Sequence, residues 1–257
     1  MKKIVLSALA VMAFGTLAQA EPLKIGVAAE PYPPFTAPDA NGNWVGWEVD
    51  FMIAICAEAK LECVITPTAW DGIIPALTSG QIDVIMSSMS ITAEREKTID
   101  FSDKYYATPI SMIANKGAVG SPDVAGLTGK ILGIQVSTSQ EAYAQKYFAD
   151  AVAETKTYQT QDEVNQDLAA GRIDAMLMDA LPGADFLKSE AGMACCELVG
   201  SVADDVEILG NGTGFGLRKG DPLKDTLNAA IKAIRDNGTY DAITKQYFDF
   251  DIYGAVN

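Results

Sequence analysis

Residues 71–88 (DGIIPALTSGQIDVIMSS) and 162–179 (DEVNQDLAAGRIDAMLMD) are one pattern written twice. At a constant offset of 91, Asp71 matches Asp162, Leu77 matches Leu168, Gly80 matches Gly171, Ile82 matches Ile173 and Asp83 matches Asp174. Each copy reads as a helix closed by glycine and followed by a buried apolar strand. Ser88 and Asp179 then fall at the same offset, just past the carboxyl end of each strand. Asp83 and Asp174, at the strand starts, read as structural. The halves also open alike: LKIGVAAEPYPPF from Leu23 and KILGIQVSTSQ from Lys130 are each a short apolar strand containing glycine, then a loop. In the second half, Ser137, Thr138 and Ser139 are capping candidates for a helix that carries Glu141 in its first turn. Strands alternating with helices, twice over, predict an α/β fold of two lobes with mostly parallel sheets. Binding sites in such lobes lie beyond the carboxyl ends of the strands, so two facing lobes enclose a cleft.

The chain end predicts a return crossing. Leu223, Leu227, Ile231 and Ile234 recur at helical spacing, Asn237 and Gly238 stop that helix, and Thr239 opens another. Before them, the glycines of GNGTGFGLRKG (210–220) are too irregular for a phosphate-binding loop and read as flexible backbone between lobes.

Residues 1–20 read as a secretory signal peptide: basic Lys2 and Lys3, an apolar stretch from Ile4 to Leu17, then Ala18-Gln19-Ala20. Residue 21 is Glu rather than Cys, so no lipid anchor is written there, and an exported protein without a membrane anchor is expected. Without Lys2 and Lys3 the chain has 17 basic against 34 acidic side chains, a net charge of −17. So acidic a chain repels phosphate backbones, which argues against a nucleic-acid partner. It has no histidine. That removes Ser-His-Asp and Cys-His pairs and His-containing zinc sites, so no metal or cofactor is expected. In an oxidising compartment, Cys56 and Cys63 suit a short staple between a helix end and the next strand, although spacing alone does not prove it. Cys195 and Cys196 are adjacent; free thiols and a strained bond between neighbours both stay open.

The strand-like run from Ile82 ends in Ser87, Ser88 and Ser90, followed by Arg95. Small hydroxyls beside a cation look like half of a binding site. By its own spacing, Arg95 is as readily a surface arginine paired with Glu94 or Glu96. Asp179 could equally cap a helix before LPGADF; its place in the repeat favours the cleft.

GWEVDFMIAIC from Gly46, WDGIIPALTSGQIDVIMSSMSITAEREKTIDFSDKYY from Trp70, GRIDAMLMD from Gly171 and GTYDAITKQYFDFDIYG from Gly238 carry a resemblance. In order, and over essentially the whole chain after the leader, they resemble the periplasmic solute-binding proteins of polar amino-acid ABC importers, family 3. The resemblance implies a type II two-lobed fold with two crossovers. Lobe one would comprise residues 21–109 and 211–257, and lobe two 110–210. It also implies a monomer that closes on an amino acid and docks on the membrane permease subunits of the importer. Cys56 and Cys63 match a disulfide of histidine- and lysine/arginine/ornithine-binding members. Arg95 matches the arginine that grips the ligand α-carboxylate, and a guanidinium fork suits that group. Ser90 and Ser139 match positions whose backbone NH groups complete the pocket, and Ser88 and Asp179 match the acceptors for the α-ammonium. Tyr32 and Trp70 match positions flanking the ligand side chain. Glu30 and Glu48 lie near positions where binders of basic amino acids carry acids, and Gln135 stands where that branch has an apolar residue. A cationic ligand (arginine, lysine or ornithine) is therefore expected, with opine-like or uncharged polar amino acids as alternatives. Two other functions share this fold: a dehydratase resembling cyclohexadienyl dehydratase, and a ligand-sensing subunit.

Overall fold

The computed structural model describes residues 21–254; the expected signal peptide lies outside the described residues. From the amino end, β1 (Leu23–Ala28), a ribbon of β2 (Ala37–Pro38) and β3 (Trp44–Val45), α1 (Trp47–Ala59), β4 (Cys63–Thr68), α2 (Ile73–Thr78), β5 (Val84–Ile85) and β6 (Asp100–Phe101) build the first lobe. The chain crosses to β7 (Ile110–Asn115), α3 (Val124–Leu127), β8 (Ile131–Gln135), α4 (Ser139–Tyr147), β9 (Glu154–Tyr158) and α5 (Gln161–Ala169). The second lobe continues with β10 (Ala175–Asp179), α6 (Ala180–Phe186), α7 (Glu190–Cys195), β11 (Cys196–Ser201) and α8 (Val206–Leu209). It then returns to β12 (Gly216–Leu217), α9 (Leu223–Asp236) and α10 (Thr239–Tyr247) of the first.

The two sheets share one topology. Their orders are β4-β1-β5-β12-β6 and, read from the equivalent edge, β9-β8-β10-β7-β11. β1 runs parallel to β4 and β5, as β8 does to β9 and β10. The expectation of mostly parallel sheets needs correction, because β12 and β7 run antiparallel to both of their neighbours. These are the two strands that have just arrived from the other lobe. A chain that crosses over enters at the cleft, where the parallel strands finish, and has to run back down the sheet.

The repeat is carried by identical devices. A Cβ on Gly26 in β1 would lie 2.2 Å from Ile82 Cδ1, and one on Gly133 in β8 would lie 2.3 Å from Ile173 Cδ1. Each glycine lets the first isoleucine after the helix pack down on the strand. Asp83 accepts from the backbone NH of Lys24 at 3.0 Å, and Asp174 from that of Ile131 at 2.7 Å. The aspartates thereby fasten the start of β5 to β1 and that of β10 to β8, the structural part expected of them.

The lobe-one core stacks Trp47 on Phe51 and Phe51 on Tyr105 and tilts Tyr105 against Phe215, with ring centroids 5.0, 4.8 and 4.9 Å apart. Leu227, Ile231 and Ile234 of α9 close its far side, and Gly238, at φ +82°, separates α9 from α10. The glycine-rich segment is fastened rather than loose. Gly212 O accepts from Ile91 NH at 2.9 Å, and Thr213 exchanges backbone bonds with Tyr105 and Tyr106 at 2.8 Å each. A Cβ on Gly210 would lie 2.3 Å from the Ile91 carbonyl oxygen. These glycines serve close approach between crossing strands. Cys56 and Cys63 are disulfide-bonded, and Cys195 and Cys196 are bonded to each other.

Candidate functional site

Parallel strands that end at the cleft deliver side chains to it. β1 leads to Glu30 and Tyr32, β4 to Trp70, β5 to Ser87, Ser88 and Ser90, β8 to Gln135 and the start of α4, and β10 to Asp179. A cavity between the lobes is lined by all of these together with Arg95, Ser139, Ala28, Thr138, Gln140, Gln161 and Leu177.

Arg95 begins a single helical turn, Arg95–Lys97. It is not the surface arginine paired with Glu94 or Glu96. Its Nη1 donates to Ser90 O at 2.9 Å and its Nη2 crosses the cleft to Ser137 O at 3.2 Å, while the guanidinium stands 5.4 Å from the Trp70 ring centroid. Glu94 pairs instead with Lys97. Burial lowers the Arg95 pKa to about 10 and Asp179 pulls it back up, so the group stays cationic.

Asp179 is only 6% exposed. Its Oδ2 accepts from Tyr32 OH across the cleft at 2.8 Å and its Oδ1 from Gln140 Nε2 at 3.0 Å. Burial raises its pKa to about 6, against the pull of Tyr32, Arg95 and Gln140. Tyr32 is driven well above the ordinary phenol value, first by burial and then by the Asp179 charge. Although Asp179 immediately precedes α6, its side chain makes no cap hydrogen bond.

At the other end, Glu30 Oε1 accepts from Gln135 Nε2 at 2.7 Å, and Gln135 Nε2 also reaches Gln159 O at 3.1 Å. Burial raises the Glu30 pKa, and the charges of Asp71 and Glu163 add to the rise. Trp70 Nε1 donates across the cleft to Val136 O at 3.1 Å. Ser87 Oγ accepts from Ala28 NH at 2.9 Å, which binds the ends of β1 and β5 together. Ser139 is the first residue of α4. Thr138 caps that helix by accepting from Glu141 NH at 3.1 Å, and Glu141 accepts in turn from Ser137 NH at 2.7 Å. The amino end of α4 therefore faces the cavity with its positive pole.

One expected residue lies elsewhere. Glu48 does not line the cavity; it is 0% exposed and stands one layer behind Ser88. The first turn of α1 runs beneath the end of β5, so the carboxylate meets Ser88 NH at 2.8 Å, Ser88 Oγ at 3.1 Å and Tyr105 OH at 2.5 Å. Burial raises its pKa to about 7, against those three hydrogen bonds.

Five lining residues had escaped the sequence reading: Ala28, Thr138, Gln140, Gln161 and Leu177. Strand alternation would have found Leu177, two residues before Asp179 and so on the same face. Thr138 and Gln140 flank Ser139 at a helix start where several residues face outward together. Gln161 opens α5 and carried no signal of its own.

What such an arrangement can do is hold a small zwitterion: a cation and an anion from opposite lobes, with a second acid and two aromatic rings between. The model of bacterial extracellular solute-binding proteins, family 3, matches residues 23–250. The L-arginine-binding protein of Pseudomonas aeruginosa is 40% identical over 99% of this chain and 100% of its own length. The histidine-binding periplasmic protein of Salmonella typhimurium is 38% identical over the same shares. A solved structure of an ancestral arginine-binding protein bound to arginine aligns with a TM-score of 0.80 at 33% identity, covering 88% of this chain and 98% of that one. With a matching model across nearly the whole described chain, and relatives this similar end to end, the chain belongs to the bacterial extracellular solute-binding proteins, family 3.

Proposed function

We propose that this protein captures a cationic L-amino acid, arginine foremost, between its lobes and hands it to the permease of an ABC importer. It would do so as a monomer in the periplasm, after removal of residues 1–20. The observation that carries the reading is the meeting of Arg95 from one lobe and Asp179 from the other in a single cavity that also holds Glu30. Arg95 takes the α-carboxylate with the backbone NH groups of Ser90 and Ser139, where the positive pole of α4 adds to the attraction. Asp179 and the Ser88 hydroxyl take the α-ammonium. Trp70 and Tyr32 flank the side chain, and Glu30, oriented by Gln135, meets its distal charge. Because these groups come from both lobes, a bound solute favours the closed arrangement over the open one and shifts the population towards it. We place the lobe boundaries at 109/110 and 210/211, in the two segments that connect the sheets.

The reading is of a binder rather than a dehydratase, since Asp179 is held by Tyr32 and Gln140 as an acceptor. The test is calorimetry of the mature protein against arginine, lysine, ornithine, histidine, glutamine and an opine. Arginine, lysine or ornithine is expected to bind most tightly. A preference for glutamine would remove the charge argument at Glu30. Turnover of prephenate in the same samples would replace binding with catalysis.

A further inference from the structure

Glu48 is buried, ionisable and outside the cavity, and the proposed binding roles leave it unused. Its hydrogen-bond partners are all donors. Ser88 NH and Tyr105 OH both point at Oε1, and Ser88 Oγ donates to Oε2. Ser88 is held at φ +52°, in the left-handed region that a serine rarely occupies without local support. Glu48 provides that support by gripping both the backbone NH and the hydroxyl of the one residue. A hydroxyl has one proton and two lone pairs. With its proton committed to Glu48, Ser88 Oγ can only accept from whatever occupies the cavity.

We infer that Glu48 is a positioning residue, which fixes Ser88 as an acceptor for the ligand's α-ammonium and makes affinity depend on its own charge. The inference rests on the proposed function. Deprotonated, Glu48 accepts from Ser88 and, from behind Ser88, adds a second negative charge to that of Asp179. Protonated, it becomes a donor itself, loses one of its acceptor positions, and releases the Ser88 hydroxyl to turn its proton towards the cavity, where an ammonium would be repelled. The other titratable groups facing Glu48 are Tyr105 and Tyr106 from the segment after β6 and Asp179 from the end of β10. Both tyrosines are held protonated far above their ordinary values. Glu48 and Asp179, at about 7 and about 6, are thus the members of this set that change charge near neutrality.

The experiment measures L-arginine affinity of the mature protein by calorimetry from pH 6 to pH 9, in two buffers of different ionisation heat, for the wild type, E48Q and Y105F. The wild type is expected to weaken about ten- to twentyfold from pH 8 to pH 6, and to release about half a proton per arginine bound at pH 7. In E48Q an amide nitrogen with no lone pair stands where the carboxylate accepts. That variant should bind at least about tenfold more weakly at pH 8, lose the proton release, and keep only the roughly twofold slope due to Asp179. Y105F removes one bond to the carboxylate and should move the midpoint of the affinity profile to higher pH; it keeps the inference testable if E48Q does not fold. A wild-type slope and proton release retained in E48Q would overturn the inference while leaving amino-acid binding intact, as would an unmoved midpoint in Y105F. A wild type that binds no L-arginine at any pH would remove the functional reading and this inference with it.

Discussion

Arg95→Ala tests the end of the site proposed for the ligand carboxylate. The guanidinium bonds Ser90 O and Ser137 O and stands over the Trp70 ring, so its loss leaves a ligand carboxylate enclosed without its cation. Affinity for the preferred amino acid should fall by about 2–5 kcal/mol, roughly 30- to several-thousand-fold, in a calorimetric titration. An unchanged constant would break the assignment. Ser88 and Asp179 were legible from their equal places in the repeat, at the ends of β5 and β10, whereas Arg95 was by its own spacing as readily a surface arginine and was pointed to the cleft by the family resemblance. The resemblance put Glu48 near positions where binders of basic amino acids carry acids, and so pointed it to the ligand rather than to Ser88. Its place under Ser88 depends on how α1 is tucked beneath β5, which no local pattern encodes. Thr138, Gln140 and Gln161 were missed for a related reason: polar residues at a helix start are common, and only the facing lobe determines which of them border a cavity.

At the level of the element, the paired helix-glycine-strand pattern exposed the duplicated lobe because its constraints are local: a glycine past each helix, an apolar strand, an aspartate at its start. Strand direction was less visible, since the pattern within β7 or β12 says nothing of the end from which the chain enters. The glycines of 210–220 misled in a similar way, because close backbone approach and loose backbone need the same residue. The strand glycines give a sharper test. Gly26→Ala forces the buried Ile82 Cδ1 aside and should cost about 1–3 kcal/mol in urea unfolding. Adding Ile82→Val removes the offending methyl and should recover part of the loss. Gly133→Ala should cost more, because Val164 Cγ1 at 3.2 Å and Tyr158 Cε2 at 3.4 Å also crowd that site. Equal costs at both positions, or no recovery with valine, would contradict this packing account.

For the whole molecule, acid should strengthen the free protein and weaken its grip on a cationic amino acid. Glu48 and Asp179 hold protons more tightly folded than unfolded, at about 7 and about 6. Their contribution is therefore fully present below the unfolded values and is lost as pH rises through the folded ones. Between pH 5 and pH 8, unfolding free energy without ligand should decline on the order of 2–4 kcal/mol, and E48Q or D179N should flatten the trend. Urea titrations at pH 5, 6, 7 and 8 measure it; stability that climbed with pH over this window would contradict the account. The lowered carboxyls at Asp100, Asp167 and Asp205 titrate below it and leave the sign unaltered.

Among the described residues, four bonds across the cleft, Arg95 to Ser137, Trp70 to Val136, Tyr32 to Asp179 and Gln135 to Glu30, already engage groups proposed to meet a solute. Recognition then becomes a change of dance partners: a guest must displace companions that its hosts already have. A molecule offering one correct end and one wrong end would give up more handshakes than it made, so the selectivity of this shell resides as much in its handclasp with itself as in its welcome to others.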